Sequence, residues 1–134
     1  MLEKVDVLGV CAGMQIFAES SDEGNEKGLG WIKGEIRLFD IKQIRHNTKL
    51  PHMGWNTISP KKIPLFNRIG KQSRFYFVHS YYFENNYSEN MISTTNYAGV
   101  FTSAVNTNNI YGVQFHPEKS HQNGLQLLKN FSEL

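Results

Sequence analysis

The sequence predicts an α/β fold, and three features carry that prediction. Residues 5–10 (Val-Asp-Val-Leu-Gly-Val) form a short, largely apolar and β-branched run that reads as a buried strand. The run passes directly into Gly9-Val10-Cys11-Ala12-Gly13, and Met14 to Glu19 then reads as helical. The rest is mostly strand-patterned and closes on one amphipathic helix. At 134 residues the chain has the size of one domain.

The elements follow in order. Ser20 to Gly30 is polar and Gly-rich, hence loop. From Trp31 to Phe39 the chain alternates, with Ile32, Ile36 and Leu38 expected on one face and Lys33, Glu35 and Arg37 on the other. Pro51 to Ile58 reads as a short strand, and Pro60 to Ile69 as a loop with one helical turn. Phe75 to Phe83, dense in aromatics, is the clearest strand signal. Met91–Tyr97 and Val100–Val105 flank Ala98-Gly99 as a hairpin, and Ile110 to Phe115 gives a further strand. Ser120 can cap a final helix in which Leu125, Leu128 and Phe131 share a face. A strand buried on both faces needs parallel neighbours with helices over them. This chain offers few helices, so the fold looks as though its beginning is missing.

Composition excludes several functions. Hydrophobic residues at 40% permit a core, and charged residues at 19% argue against a charge-driven disordered chain. Fourteen Lys and Arg against twelve Asp and Glu leave a net charge of +2 with the signs interspersed. That is no footprint for nucleic acid or an anionic membrane. A single cysteine rules out an internal disulfide and fits a reducing compartment. The longest apolar stretch, Val7 to Met14, is too short to span a bilayer, and the first residues lack the features of a signal peptide. A cytoplasmic setting is therefore expected. No His, Cys, Asp and Glu set has metal-ligand spacing, and no cofactor is expected.

The chemistry centres on Cys11. A lone cysteine is more often a small buried hydrophobe than a nucleophile. Gly-x-Cys-x-Gly at a strand-to-helix junction, however, has the form of a nucleophile elbow, in which the flanking Gly9 and Gly13 let a strained turn close. The helix N-terminus is expected to lower the thiol pKa. A second constellation is Gln114-Phe115-His116-Pro117-Glu118. A cysteine nucleophile needs a base, and the base needs a partner that fixes its tautomer. His116 and Glu118 could serve, although His-x-Glu alone would read as a surface pair. His46, His52 and His121 lack such a setting, and His79, inside the aromatic strand, could be a hydrogen-bonded core residue.

Gly-Val-Cys-Ala-Gly-Met-Gln with a distal Phe-His-Pro-Glu resembles a class I, triad-type glutamine amidotransferase domain. The closer resemblance is to the glutaminase subunits of imidazole glycerol phosphate synthases. It rests on Gly-Leu-Gly-Trp at 28–31, Pro-His-Met-Gly-Trp-Asn at 51–56, Phe-Tyr-Phe-Val-His-Ser-Tyr at 75–81 and Tyr-Gly-Val-Gln-Phe-His-Pro-Glu-Lys-Ser at 111–120. The resemblance implies a flavodoxin-like three-layer α/β domain with a strand-rich C-terminal half. It implies Cys11 as nucleophile, His116 as acid and base, Glu118 as orienter, and the Ala12 N–H as an oxyanion donor. Gln15 and Glu23 would meet the amino-acid end of glutamine, and Ser80 and Tyr81 its α-carboxylate. Met53, Trp55, Tyr76 and Lys119 would dock on a (β/α)8-barrel synthase subunit in a heterodimer, and ammonia would pass into that barrel. Without the resemblance, Trp55 and Tyr76 read as core aromatics and Lys119 as a solvated charge.

In such subunits a second oxyanion donor comes from a Gly-rich loop upstream of the elbow. Ten residues precede Cys11 here and none resembles that loop. The whole chain, 1–134, therefore reads as the C-terminal two-thirds of an amidotransferase domain, with the Val5–Val10 edge expected to be exposed. Loss of one oxyanion donor typically costs about 10²–10³ in rate, so weak turnover is expected of this length. Three functions stay open: the glutaminase that feeds imidazole glycerol phosphate and aminoimidazole carboxamide ribotide formation in histidine biosynthesis, a paralogue that supplies ammonia for surface-polysaccharide sugars, or a catalytically impaired docking remnant.

Overall fold

The computed structural model describes residues 5–22, 24, 27–40, 50–84 and 89–134. Strand β1 (Val7–Val10) leads into helix α1 (Ala12–Gln15), followed by β2 (Ser20–Ser21), β3 (Glu35–Leu38), β4 (His52–Thr57) and β5 (Ser59–Pro60). Then come β6 (Arg74–His79), β7 (Tyr81–Glu84), β8 (Met91–Asn96), β9 (Val100–Thr107), β10 (Ile110–Val113) and helix α2 (His121–Ser132). One-turn 3-10 helices lie at Pro64–Phe66 and Pro117–Lys119.

Eight strands form one mixed sheet in the order β1-β10-β9-β7-β3-β2, with β8 paired to β9 and β5. β1 and β10 are parallel, with Val7 opposite Ile110 and Val10 opposite Val113. β9 pairs antiparallel with both β10 and β7. The predicted hairpin of β8 and β9 forms, with a bulge near Ser93. β4 and β6 make a separate antiparallel ribbon in which His52 faces His79 and Trp55 faces Tyr76.

The apolar runs of β1 and β10 follow from burial on both faces. On one face Leu8, Val10 and Val113 join a core with Phe75, Phe77, Phe115 and Leu127, which the ribbon and α2 cover. On the other, Val7, Val105 and Ile110 meet Met14 and Phe17 from α1 and the turn after it. The result is three layers, as the resemblance implies. Among the described residues β1 pairs only with β10 and forms an edge of the sheet, as expected. Among the described residues, too, no helix is long and apolar enough to cross a membrane.

Several local expectations are corrected. The helix expected over Met14–Glu19 is a single turn, Ala12–Gln15. The carbonyls of Ile16, Phe17 and Ala18 instead accept N–H groups of Leu29, Ile32 and Gly30, so the returning segment consumes the acceptors a longer helix would use. The aromatic run 75–83 is two strands in different sheets, broken at Ser80. Ile32 and Ile36 are buried, but Leu38 at the end of β3 is 49% exposed.

The closing helix buries Gly124, Leu127 and Asn130, whereas Leu125 and Leu128 face solvent. Gly124 lies against the Pro117 carbonyl, where a Cβ would collide with backbone. The Asn130 amide donates to the carbonyls of Leu65 (2.9 Å) and Asn67 (2.7 Å), which satisfies the neighbouring 3-10 turn. A buried polar residue thus sets the face. Ser120 does not cap α2 through its side chain. Its Oγ donates to His116 O (2.5 Å) and accepts from Tyr76 N (3.0 Å), tying the 3-10 turn to β6.

Candidate active site

The parallel pairing of β1 and β10 sends the residues after both strands off the same edge of the sheet. Cys11 continues the ladder through its N–H to Val113 O (2.8 Å). It then turns sharply, with φ 54° and ψ −108°. A side-chain-bearing residue held there is strained, which marks a site where placement outweighs backbone comfort. Gly9 is required sterically: a Cβ would sit 2.5 Å from Gly13 O and 2.6 Å from the Phe17 ring. Gly13 is not, since a Cβ there meets nothing within 4 Å. The expectation that both glycines close the turn holds for Gly9 alone.

The Cys11 thiol is directed toward Val78 O (3.7 Å), on β6. Gln114 Nε2 donates to Sγ at 3.5 Å. Burial pushes the thiol pKa up, more than the Ala12 N–H and the Gln114 amide pull it down, while Glu118 nearby adds to the rise and Lys119 opposes it. The expectation of a lowered thiol pKa is therefore corrected. A one-turn helix supplies little dipole, and desolvation favours the neutral thiol. A thiol held in this state could attack only as its proton leaves toward a base.

His116 and Glu118 stand together. His116 Nδ1 lies 2.9 Å from Glu118 Oε2. A carboxylate there requires a proton on Nδ1 and leaves Nε2 as the basic nitrogen. Partial burial would raise the Glu118 carboxyl, but the bond to His116 outweighs it and holds the group below the usual carboxylate range. The His116 N–H is anchored on Tyr76 O (2.9 Å), so β6 passes beside His116 as well as Cys11.

Gln15, at the end of α1, spends Nε2 on two protein acceptors, Tyr81 O (3.2 Å) and Gln114 Oε1 (2.9 Å). Its own amide oxygen is then the end available to an ammonium group. Ala12 and Gln15 line one side of a pocket of about 470 Å³ shared with Ile16, Ser20, Ser21, Lys27, Gly28 and Leu29. Ser80 and Tyr81 form the junction from ribbon to main sheet, where Ser80 O accepts from Phe39 N (3.2 Å). Glu23 and His46 lie outside the described residues. Among the described residues, no group of three or more His, Cys, Asp and Glu is placed to hold a metal ion.

Alternation along the ribbon puts Met53, Trp55, Tyr76 and Val78 on its outer side. Met53 is 61% and Trp55 38% exposed, so Trp55 is no core residue. Trp55 packs edge-on against Tyr76 (6.1 Å) and stacks flat on His121 (5.3 Å). The exposed Lys119 follows in the 3-10 turn after His116. Its neighbour Ser120 is bonded to Tyr76 N, so the residues expected at a partner face cluster around the outer ribbon.

Sequence reasoning missed two features. Gln114 is fully buried beside the thiol, yet its place in the Gln-Phe-His-Pro-Glu motif gives no hint of that role. His52 is also buried, with Nδ1 3.0 Å from His79 Nε2, while His79 Nδ1 lies 2.7 Å from Tyr81 O. His79 is the hydrogen-bonded core residue expected. No local pattern marks His52, because its partner is 27 residues away across the ribbon. Burial lowers the pKa of His52 to about 3, and its neighbour His79 adds to the effect. Burial likewise lowers His79 to about 4, against the bond to Tyr81.

These two imidazoles make stability pH-dependent. Unfolded, each takes a proton near pH 6.5, and folded, only near 3 and 4. The unfolded state therefore binds more protons in between, and stability falls as pH drops from 6.5 toward 4. Urea midpoints measured across this window should decline steadily, with proton uptake on unfolding approaching about two. A flat midpoint would contradict the neutral pair.

Comparison with known proteins decides the family. Residues 1–133 match the family described as Glutamine amidotransferase class-I. The chain belongs to that family. Within these amidotransferases it is 49% identical over 133 residues to the imidazole glycerol phosphate synthase subunit HisH of Leptospira borgpetersenii, covering 98% of this chain and 65% of that one. It is 47% identical to subunit HisH 2 of Pseudomonas aeruginosa, covering 100% of this chain and 65% of that protein. The amidotransferase chain thus spans just under two-thirds of the length of these relatives. Two solved structures share its fold. A glutamine amidotransferase from Thermotoga maritima superposes with a TM-score of 0.62 at 14% identity, covering 97% of this chain and 48% of that one. The glutaminase domain of Trypanosoma brucei CTPS does so at 0.67 and 16% identity, covering 97% and 61%.

Proposed function

We propose that this chain hydrolyses glutamine to glutamate and ammonia as the glutaminase of a cytoplasmic heterodimer, and that its ammonia enters a (β/α)8-barrel synthase. The synthase would make imidazole glycerol phosphate and aminoimidazole carboxamide ribotide in histidine biosynthesis. The observation that carries the hydrolytic reading is the strained Cys11 at the end of β1, beside a His116–Glu118 pair emerging from the adjacent parallel strand. The naming of the HisH relatives supports the pathway.

The chemistry follows from proton bookkeeping. Cys11 Sγ attacks the side-chain carbonyl of glutamine while its proton passes to His116 Nε2. The Ala12 N–H meets the developing oxyanion. His116 then protonates the departing nitrogen, the C–N bond breaks, and ammonia leaves a glutamyl thioester. Water attacks the thioester with His116 as base, which releases glutamate and restores the thiol. Glu118 keeps Nε2 directed at the reaction throughout. Gln15, with Glu23, receives the ammonium end of the substrate, and Ser80 and Tyr81 its carboxylate. Met53, Trp55, Tyr76 and Lys119 seat the synthase, which places the ammonia exit over β6, close to where the thiol meets Val78.

A glutamine-like alkylating agent tests the assignment. In the complex with the synthase it should label Cys11 alone, and saturating glutamine should slow the labelling by about tenfold or more. Labelling that ignores glutamine would remove the substrate pocket from this site.

A further inference from the structure

The chemistry proposed above uses neither His52 nor His79, yet the two are buried, neutral and joined in a hydrogen-bonded chain whose direction is fully determined. Tyr81 O can only accept, so His79 carries its proton on Nδ1 (2.7 Å) and presents a bare Nε2. His52 must then donate from Nδ1 (3.0 Å) and accept at Nε2, where Asn56 Nδ2 stands at 3.2 Å. The second Asn56 amide hydrogen goes to Asn96 O (3.0 Å), and its Oδ1 accepts from Thr57 N (2.8 Å). His52 is clamped between the Tyr97 ring (3.9 Å) and Phe77 (4.8 Å).

The chain ends where substrate binding begins. Tyr81 O also accepts from Gln15 Nε2, and Gln15 continues through Gln114 to Cys11 Sγ. At the other end, His52 and Asn56 alternate along β4 with Met53 and Trp55, whose side chains form the outer face of the ribbon. The inner and outer faces belong to one pair of strands, so one cannot shift without the other.

We propose that His52 and His79 are positioning residues for glutamine: through the Asn56–His52–His79 relay they hold the Tyr81 carbonyl at the point against which Gln15 is oriented, and so tie the seating of a partner on the outer ribbon to the substrate-binding amide. This rests on the glutaminase reading above.

Two near-isosteric substitutions at one position separate the relay from general packing. His79→Asn retains a donor where Nδ1 stands and keeps the bond to Tyr81. His79→Gln retains an acceptor where Nε2 stands, so it keeps the bond from His52 and loses the one to Tyr81. Each is assayed for glutaminase kinetics as the complex with the synthase, and for Cys11 alkylation by iodoacetamide, a small reagent that needs no Gln15. His79→Gln should raise KM for glutamine by about tenfold or more, His79→Asn by no more than about threefold, and iodoacetamide labelling should be unchanged in both. If His79→Gln does not fold, His52→Phe, which like His79→Asn keeps the bond to Tyr81 and loses the one between the imidazoles, should match the KM of His79→Asn within about twofold, with His52→Asn restoring the wild-type value; a mismatch would overturn the relay.

Equal KM effects of the two His79 variants, or none from either, would overturn the relay while glutamine hydrolysis by the wild-type complex leaves the glutaminase reading intact. A wild-type complex that hydrolyses no glutamine would overturn that reading, and the inference with it.

Discussion

Replacing Cys11 with alanine should abolish glutamine-dependent synthesis by the complex, by at least about 10³-fold, while synthesis from free ammonium salts stays at the wild-type level. The split follows from where the chemistry sits. In the proposed reaction the thiol is the nucleophile of the glutaminase half-reaction, whereas the synthase would use ammonia whatever its source. The substitution should also be mild structurally. The backbone turn at residue 11 is held by the ladder bond to Val113 and by Gly9, and the lost contacts are two weak ones to sulfur, at 3.7 and 3.5 Å. Retained glutamine use by Cys11→Ala, or parallel loss of the ammonium reaction, would remove Cys11 from the nucleophile's role.

Gly9→Ala should have the largest effect on folding. Its Cβ would meet the Gly13 carbonyl at 2.5 Å and the Phe17 ring at 2.6 Å. A side chain could swing away, but a carbonyl cannot move without opening the elbow. Overpacking of this kind costs about 1–3 kcal/mol and more where backbone is struck, so a loss of at least about 3 kcal/mol in urea unfolding is expected. Gly13→Ala, with open space around its Cβ, should change stability by less than about 1 kcal/mol. Equal losses at the two positions would show that the turn is not braced as described.

The contrast between these glycines shows what was legible in the sequence. The elbow and the His116–Glu118 spacing were readable because each is local, whereas the outer ribbon residues came from the family resemblance; taken alone, Trp55 and Tyr76 read as core aromatics. The shortness of α1 was not readable. Its cause is the return of residues 29–32 to take the carbonyls of 16–18, which no periodicity in 14–19 reveals. The buried face of α2 was misassigned for a similar reason. Apolar spacing favoured Leu125, Leu128 and Phe131, but a close approach at Gly124 and two carbonyls awaiting Asn130 turned the helix.

The sign of the thiol shift was also beyond sequence reasoning. A strand-to-helix turn suggests a stabilised thiolate, but the depth at which the ribbon covers Sγ decides the balance, and here burial prevails. Such a thiol is inert until a base is brought to it. In the proposed reaction the approach of His116 to Sγ on substrate binding therefore matters more than the resting acidity of Cys11.

In the proposed reaction glutamine is cleaved through a thioester on Cys11. The most direct measurement is mass spectrometry of the complex, acid-quenched during turnover of glutamine. A single glutamyl adduct is expected on the peptide containing Cys11, absent in Cys11→Ala. Release of ammonia with no adduct on Cys11, or with the adduct on another residue, would contradict it.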